Sequence, residues 1–249
     1  MGATAVVALR GGEGELAGVA SAVRALGRAG WKVVVTAPSG DVAGSLTLAL
    51  GLTRSGRRAI PIVTHTLVDP VDPAFAHPPF TVSPEPLAIL ESEAIGALLD
   101  KGFPVVVTGH VPVVPHGDEY RTAEAALEGA AVAQRLANDL GASALAFVVE
   151  AEARLADGHA CAAELRAAER FVAAGGEEAS ITTPARLAEA IEGTADGAGV
   201  LRIRRGVVRA PAHPTPRSTI AKISAMAPIR SIDDVTSGIP WLSGSSPRR

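Results

Sequence analysis

The arrangement of apolar residues along the chain constrains its fold more than any other feature. Short continuous apolar runs alternate with longer segments in which apolar residues recur at helical spacing. Continuous runs are typical of strands that are buried on both faces of a sheet. The strand candidates are Ala5–Leu9, Lys32–Thr36, Ala59–Thr64, Pro104–Thr108, Ala144–Val149, Ala179–Thr182 and Val200–Arg204. The helix candidates are Glu15–Ala29, Val42–Arg54, Glu91–Lys101, Ala123–Leu140, Cys161–Ala174 and Pro184–Ile191.

This strand–helix alternation predicts an α/β fold, a three-layer αβα sandwich with a mostly parallel central sheet. Gly30 is expected to end the first helix. We assign residues 1–203 to this domain, with a Pro-rich excursion over residues 67–86 that indicates a lid, a binding loop or an oligomer contact. Residues 204–249 are assigned to a basic, Pro/Ser-rich tail, since seven Lys or Arg and only two Asp occur from Arg205 onward.

Composition and charge exclude several classes of protein. The formal net charge of −3 argues against a nucleic-acid-binding protein. The absence of a long apolar stretch argues against a membrane protein, and the N-terminal apolar run is too short for a signal peptide. A single cysteine, Cys161, fits a reducing compartment and a buried helical position. We therefore expect a cytoplasmic protein.

Ligand-binding residues are expected where parallel strands end and helices begin, because backbone N–H groups and helix dipoles favour anions there. Glycines in these loops allow the backbone to approach an oxyanion closely, although glycines also occur simply because a turn is tight. Serines in the same loops add hydroxyl groups that can bind an oxyanion. Arg10 is the candidate catalytic cation, with a surface role as the alternative. The candidate cofactor-binding residues are Gly11, Gly12, Ser39, Gly40, Gly44, Ser45, Gly109 and His110.

Other motifs are weaker. Residues 12–17 match a dinucleotide-binding pattern, but no acidic residue ends the second strand to bind a ribose. The six histidines show no metal-ligand spacing, and no metal site is predicted. His65 and His110 follow predicted strands and are expected either to approach each other in the cleft or to serve as caps or surface residues. No nucleophile elbow or P-loop occurs.

Five segments resemble carbamate kinases, which have the amino acid kinase fold. The most specific is Val-Asp-Pro-Val-Asp-Pro-Ala-Phe, similar to the family's Val-Asp-Pro-x-Asp-x-Ala-Phe. The likeness extends over about residues 4 to 203. It implies an ATP- and Mg-dependent phosphotransferase. The five segments are Val6–Gly12, Val34–Leu46, Val68–Phe75, Val106–Val114 and Leu136–Leu145.

The catalytic lysines that the resemblance implies are missing at the aligned positions. One lysine position aligns within Glu128-Gly129-Ala130 and another with Glu164, and a third lies in a lobe that we expect this chain to lack. The chain has three lysines, Lys32, Lys101 and Lys222, none of them at these positions. Glu164 in place of a lysine would repel a phosphate.

Three functions remain open. The first is a degenerate carbamate kinase-like protein without kinase turnover, a regulatory or structural subunit. The second is a divergent phosphotransferase, or a carbamoyl-phosphate-handling enzyme, that uses Arg10 and loop amides. The third is a non-kinase binder of nucleotides or small anions. A homo-oligomer, or a hetero-oligomer with a related subunit, is expected in each case.

Overall fold

The protein is built around one ten-stranded sheet. The computed structural model describes residues 2–10, 16–38, 40–50, 58–72, 83–150, 161–194, 199–204 and 207–209. The strands are β1 Thr4–Leu9, β2 Lys32–Thr36, β3 Ile60–Val68, β4 Pro86–Ile89, β5 Val105–His116, β6 Glu119–Thr122, β7 Ala144–Val148, β8 Glu178–Thr182, β9 Val200–Arg204 and β10 Val207–Arg209. The helices are α1 Leu16–Arg28, α2 Gly40–Leu50, α3 Ser92–Asp100, α4 Gly129–Asp139, α5 Ala162–Ala173 and α6 Leu187–Ile191, the last preceded by a 3-10 turn at Pro184–Arg186.

The strand order is β10-β9-β8-β7-β1-β2-β5-β3-β4, and β6 pairs with β5. The six central strands, β8-β7-β1-β2-β5-β3, run parallel to their neighbours. β4, β6, β9 and β10 pair antiparallel at the margins. The mostly parallel sheet confirms the predicted fold class.

Helices cover both faces of the sheet and form two separate apolar cores. On one face α3, α4 and α5 pack on β-strand residues such as Val107 and Phe147. On the other, α1, α2 and α6 pack on residues such as Val7 and Val35. Alternate residues of β1 and β2 enter the two cores, as the two-residue repeat of a strand requires. These cores hold the strand ends in fixed positions.

Two helices end in the same way at the amino end of the sheet. Gly30 has a φ of 93° and Gly102 a φ of 79°, conformations that favour glycine. The N–H of Trp31 donates to the carbonyl of Leu26, and the N–H of Phe103 donates to the carbonyl of Leu98. Both are Schellman-type ends, and each places an aromatic residue one or two positions before a strand. The predicted stop at Gly30 is confirmed.

Several boundaries differ from prediction because hairpins are hard to recognise in polar sequence. β5 was predicted to stop at Thr108 but continues to His116 by pairing with β3 and β6. The fourth helix begins at Gly129 rather than Ala123, since the N–H of Ala123 instead donates to the carbonyl of Pro112. The residues 67–86 predicted as irregular include the end of β3 and the start of β4, and residues 73–82 lie outside the described part.

The chain divides into two units, Met1–Ala212 and His213–Arg249, and every described residue belongs to the first. Part of the predicted tail, Val207–Arg209, forms strand β10 against β9. Among the described residues, no helix combines the length and apolarity needed to span a bilayer. Cys161 is buried, as predicted, and lies at the N-cap of α5.

Candidate functional site

The parallel sheet has a topological switch point between β1 and β7. The helix after β1 packs on one face of the sheet, and the helix after β7 packs on the other. The chain therefore diverges at the carboxyl ends of these two strands, where open α/β sheets bind ligands. The N–H of Arg10 donates to the carbonyl of Val148 here, over 3.2 Å. We call this region, with Arg10 and the facing Glu164, the carboxyl-edge crevice.

An ion pair crosses the carboxyl-edge crevice. Nη1 of Arg10 lies 3.0 Å from Oε1 and 3.1 Å from Oε2 of Glu164. The Glu164 side chain is only 7% exposed, whereas that of Arg10 is 39% exposed. Glu164 lies in the first turn of α5, where the helix dipole favours a negative charge. A buried carboxylate needs a cationic partner, and Arg10 is that partner here.

The ligand-binding loop predicted after β2 is largely the start of a helix. Gly40 begins α2, and Gly44 and Ser45 lie in its second turn. A Cβ placed on Gly40 or Gly44 would meet nothing within 4 Å, so packing inside the protein does not require glycine at either position. Three of the predicted binding residues lie outside the described part of the chain: Gly11, Gly12 and Ser39. Ligand binding by the described residues stays a prediction.

Gly109 and His110 were predicted in a loop but lie within β5. The pairing of β3 with β5 contains a bulge, because Ile62 is paired with Val107 and Val63 with Gly109. After the bulge, His110 lies beside Thr64, and its Nδ1 is 2.7 Å from the Thr64 hydroxyl oxygen. Burial lowers the pKa of His110 from 6.5 to about 4. The imidazole is therefore neutral at physiological pH.

His65 and His110 do not meet. The Nδ1 of His65 lies 2.7 Å from Oε1 of Glu91, and its backbone N–H donates to Oε2 of the same carboxylate. Since His65 and Thr64 are consecutive in β3, their side chains point to opposite faces of the sheet. Within the described residues, no group of three or more His, Cys, Asp or Glu is placed to hold a metal ion.

Comparison with known proteins identifies several that are similar to this chain in sequence or in fold. No family model matches it. A carbamate kinase from Halobacterium salinarum is 28% identical over 202 residues, which is 56% of this chain and 66% of that protein, just under two thirds. A carbamate kinase from Giardia lamblia, solved with AMP-PNP, has a TM-score of 0.66 at 22% identity over 82% of this chain and 98% of its own.

The chain has the amino acid kinase fold and is similar in sequence to a carbamate kinase. A solved protein from Aeropyrum pernix K1 has the same fold, with a TM-score of 0.64 at 18% identity over 79% of this chain and 98% of its own. A more distant fold neighbour is N-acetylglutamate synthase from Neisseria gonorrhoeae, with a TM-score of 0.53 at 13% identity over 74% of this chain and 56% of its own.

The described lysines of this chain lie away from the crevice. Lys32 begins β2, and Lys101 follows α3 just before β5, so both lie at the amino end of the sheet. Lys32 is bonded to Asp100 at 2.6 Å. β2 is five residues long, which places the Cα of Lys32 about 13 Å from that of Thr36 at the carboxyl end of the strand. Among described residues in the crevice, Arg10 is the cation and Glu164 neutralises it.

Sequence reasoning missed the pairing of Arg10 with Glu164. It identified Arg10 as a candidate cation and Glu164 as a residue that would repel phosphate, but it treated them separately. The two residues are 154 positions apart, and no local pattern connects them. The signal that could have linked them is the strand order, because it brings the end of β1 beside the helix that follows β7.

Proposed function

We propose that this chain has lost kinase turnover and acts as a regulatory or structural carbamate kinase-like subunit. The observation that carries the proposal is the Arg10–Glu164 ion pair in the carboxyl-edge crevice. Phosphoryl transfer is accelerated mainly by cations that face the charge on the transferred group. Here the cation of the crevice is paired with the buried carboxylate of Glu164, at a position where the resemblance implies a lysine.

The magnitude of the repulsion supports this proposal. Two like charges about 4 Å apart repel by roughly 4 kcal/mol at an effective dielectric constant of about 20. A phosphate that approaches Arg10 also approaches Glu164, so the attraction from one is largely cancelled by the other. When the charge that stabilises the transition state is lost, the activation free energy rises. Each rise of about 1.4 kcal/mol lowers the rate about tenfold.

The test is an assay of ATP-dependent carbamate phosphorylation by the purified chain, beside an active carbamate kinase as a positive control. We expect no turnover above the uncatalysed background. The variant Glu164→Gln removes the repelling charge with little change of shape, and Glu169→Gln, at an exposed position of the same helix, is its matched control. Turnover by the unmodified chain would contradict the proposal.

The regulatory part of the proposal needs a separate measurement. A regulatory subunit should alter the turnover of an active carbamate kinase from the same organism when the two proteins are mixed. Size-exclusion chromatography with light scattering would show whether the chain associates with itself or with that enzyme. An unchanged rate, together with no complex of either kind, would contradict a role as a regulatory or structural subunit.

One observation supports a divergent phosphotransferase as the second candidate. The Arg10 side chain is 39% exposed at the carboxyl end of β1, where a ligand at the switch point could contact it. The carbamate kinase of Giardia lamblia with a similar fold binds AMP-PNP. This candidate predicts MgATP binding and turnover that Arg10→Ala reduces at least tenfold. Turnover that persists unchanged in Arg10→Ala would contradict a role for this arginine.

A further inference from the structure

The amino end of the sheet contains a cavity that the proposed function does not use. It has a volume of about 780 Å³, within the range of sites for small organic ligands. It lies where α1, α2 and α3 end and β2 and β5 begin. We call it the amino-edge cavity. The carboxyl-edge crevice lies at the opposite ends of the same strands, so ligands at the two places would not compete directly.

The wall of the amino-edge cavity is largely apolar. Val23, Leu50 and Leu99 are buried core residues whose side chains line it. Trp31 and Phe103 are half-buried and also line it. The two Schellman-type helix ends fix this arrangement, because each holds its aromatic residue one position after a left-handed glycine. The wall therefore offers two aromatic rings and an aliphatic surface to an apolar ligand.

Among the described residues that line the same cavity, cationic side chains outnumber acidic ones. Its lining includes three cationic side chains, Arg24, Arg28 and Lys32, and one acidic side chain, Asp100. Asp100 accepts a hydrogen bond from Lys32 at 2.6 Å. Helix C-termini carry partial negative charge, but the backbone bonds at Gly30 and Gly102 satisfy several of the last carbonyls. The guanidinium groups therefore favour an anionic ligand at the rim.

We infer that the amino-edge cavity binds a small organic anion with an apolar body, such as an aryl carboxylate. The aryl body would pack against Trp31 and Phe103, and the carboxylate would lie among Arg24 and Arg28. Stacking on an aromatic ring and pairing with arginine are the interactions that such a ligand offers. This inference does not depend on whether the carboxyl-edge crevice supports catalysis.

The experiment uses 4-phenylbutyrate as the probe and the fluorescence of Trp31 as the readout. The chain has two tryptophans, so Trp241→Phe leaves Trp31 as its single reporter. In that background we expect a saturable fluorescence change with 4-phenylbutyrate. Acetate should give none, because it lacks the apolar body. 4-Phenylbutanol should bind about fivefold or more weakly, because it lacks the charge. Equal binding of the alcohol would overturn the inferred preference for anions.

Gly27 provides a blocking variant with a matched control. It lines the cavity, and a Cβ placed on it meets nothing within 4 Å. Gly27→Leu therefore fills the cavity from a helical position where leucine is favoured over glycine. Gly96→Leu makes the same change in α3, where a Cβ also meets nothing, away from the cavity lining. Binding should be lost in the first variant and retained in the second; equal binding by both would overturn the site.

Two further variants keep the test decisive if Gly27→Leu folds poorly. Arg24→Gln and Arg28→Gln should each weaken binding of 4-phenylbutyrate roughly fivefold, as expected for partly exposed ion pairs. Arg10→Gln, at the other end of the sheet, should leave the dissociation constant unchanged. The absence of any saturable change in the Trp241→Phe background, or a loss of binding in Arg10→Gln alone, would overturn the inference.

Discussion

The guanidinium of Arg10 and the carboxylate of Glu164 form an ion pair at 3.0 Å between the end of β1 and the first turn of α5. The pair joins two segments that lie far apart in sequence and that flank the switch point of the sheet. It supplies a partner for a buried carboxylate and also neutralises the crevice. Its two consequences, for stability and for anion binding, can be measured separately.

Removal of Arg10 should destabilise the fold through Glu164. Arg10→Ala leaves the buried carboxylate without its ion-pair partner, which costs about 3–5 kcal/mol for a fully buried pair. Since Arg10 is 39% exposed, solvent screening reduces this cost. We expect the free energy of unfolding to decrease by about 1–3 kcal/mol. Urea unfolding measures it. Arg166→Ala breaks an exposed pair with Glu128 and should change stability by less than about 1 kcal/mol. Equal losses in the two variants would contradict a structural role for the buried pair.

Neutralising Glu164 should increase the affinity of the crevice for anions. In Glu164→Gln the charge of Arg10 is no longer cancelled, so pyrophosphate should bind about tenfold more tightly, or detectably where the unmodified chain shows no binding. Isothermal titration calorimetry measures this, with Glu169→Gln as the control at an exposed position. The same affinity in all three proteins would show that Glu164 does not control anion binding.

His110 should make stability fall as pH decreases. Burial lowers its pKa in the folded protein to about 4, below 6.5, so the unfolded chain binds more protons between these values. The free energy of unfolding therefore decreases as pH falls from about 6.5 to 4, by about 3 kcal/mol in total from this group. His110→Asn should have a flatter pH profile than the unmodified chain. His116→Gln, at an exposed position, should keep the original slope. Direct NMR titration of His110 with a midpoint near 6.5 would contradict the burial effect.

Thr66 and Thr64 should respond in opposite ways to replacement by valine. The Thr66 hydroxyl is buried and has no hydrogen-bond partner among the described residues. Thr66→Val removes an unsatisfied polar group and should be neutral or stabilise by up to about 1 kcal/mol. Thr64→Val removes the contacts with His110 and with the carbonyl of Gly109, and should destabilise by about 1–2 kcal/mol. Thermal and urea unfolding test both. A destabilised Thr66→Val would indicate a partner for this hydroxyl.

The sequence allowed the layers of the fold to be predicted because local patterns determine them. β2 and β9 have the predicted bounds, and α1, α3 and α5 agree within one residue at each end. β2 ends two residues before Pro38, and each of the other four ends at or just before a glycine or a charged residue. β4 was missed because it is short and pairs with β3 about twenty residues away, and β6 was missed although it forms a local hairpin with β5. All four residues of β6 are exposed, so no apolar pattern marks it.

The candidate site was less predictable because it depends on contacts between distant segments. Arg10 could be placed at a strand end from its position alone, and the strand order brings it to the switch point. Its neutralisation by Glu164, however, depends on the rotation of α5 about its axis. His110 was assigned to a loop because Gly109 precedes it, but pairing with β3 and β6 keeps this segment extended.

The bulge at Thr108 determines which side chains of β5 lie beside the buried side chains of β3. If β5 kept all its residues but paired with β3 without a bulge, His110 would be opposite His65 rather than Thr64. β2 pairs with β5 only as far as Val107, so it does not hold the later part in register. A single-codon deletion at Thr108 would therefore remove the bulge and still leave His110 opposite Thr64, because Ile62 with Val107 and Val63 with Gly109 would become consecutive pairs.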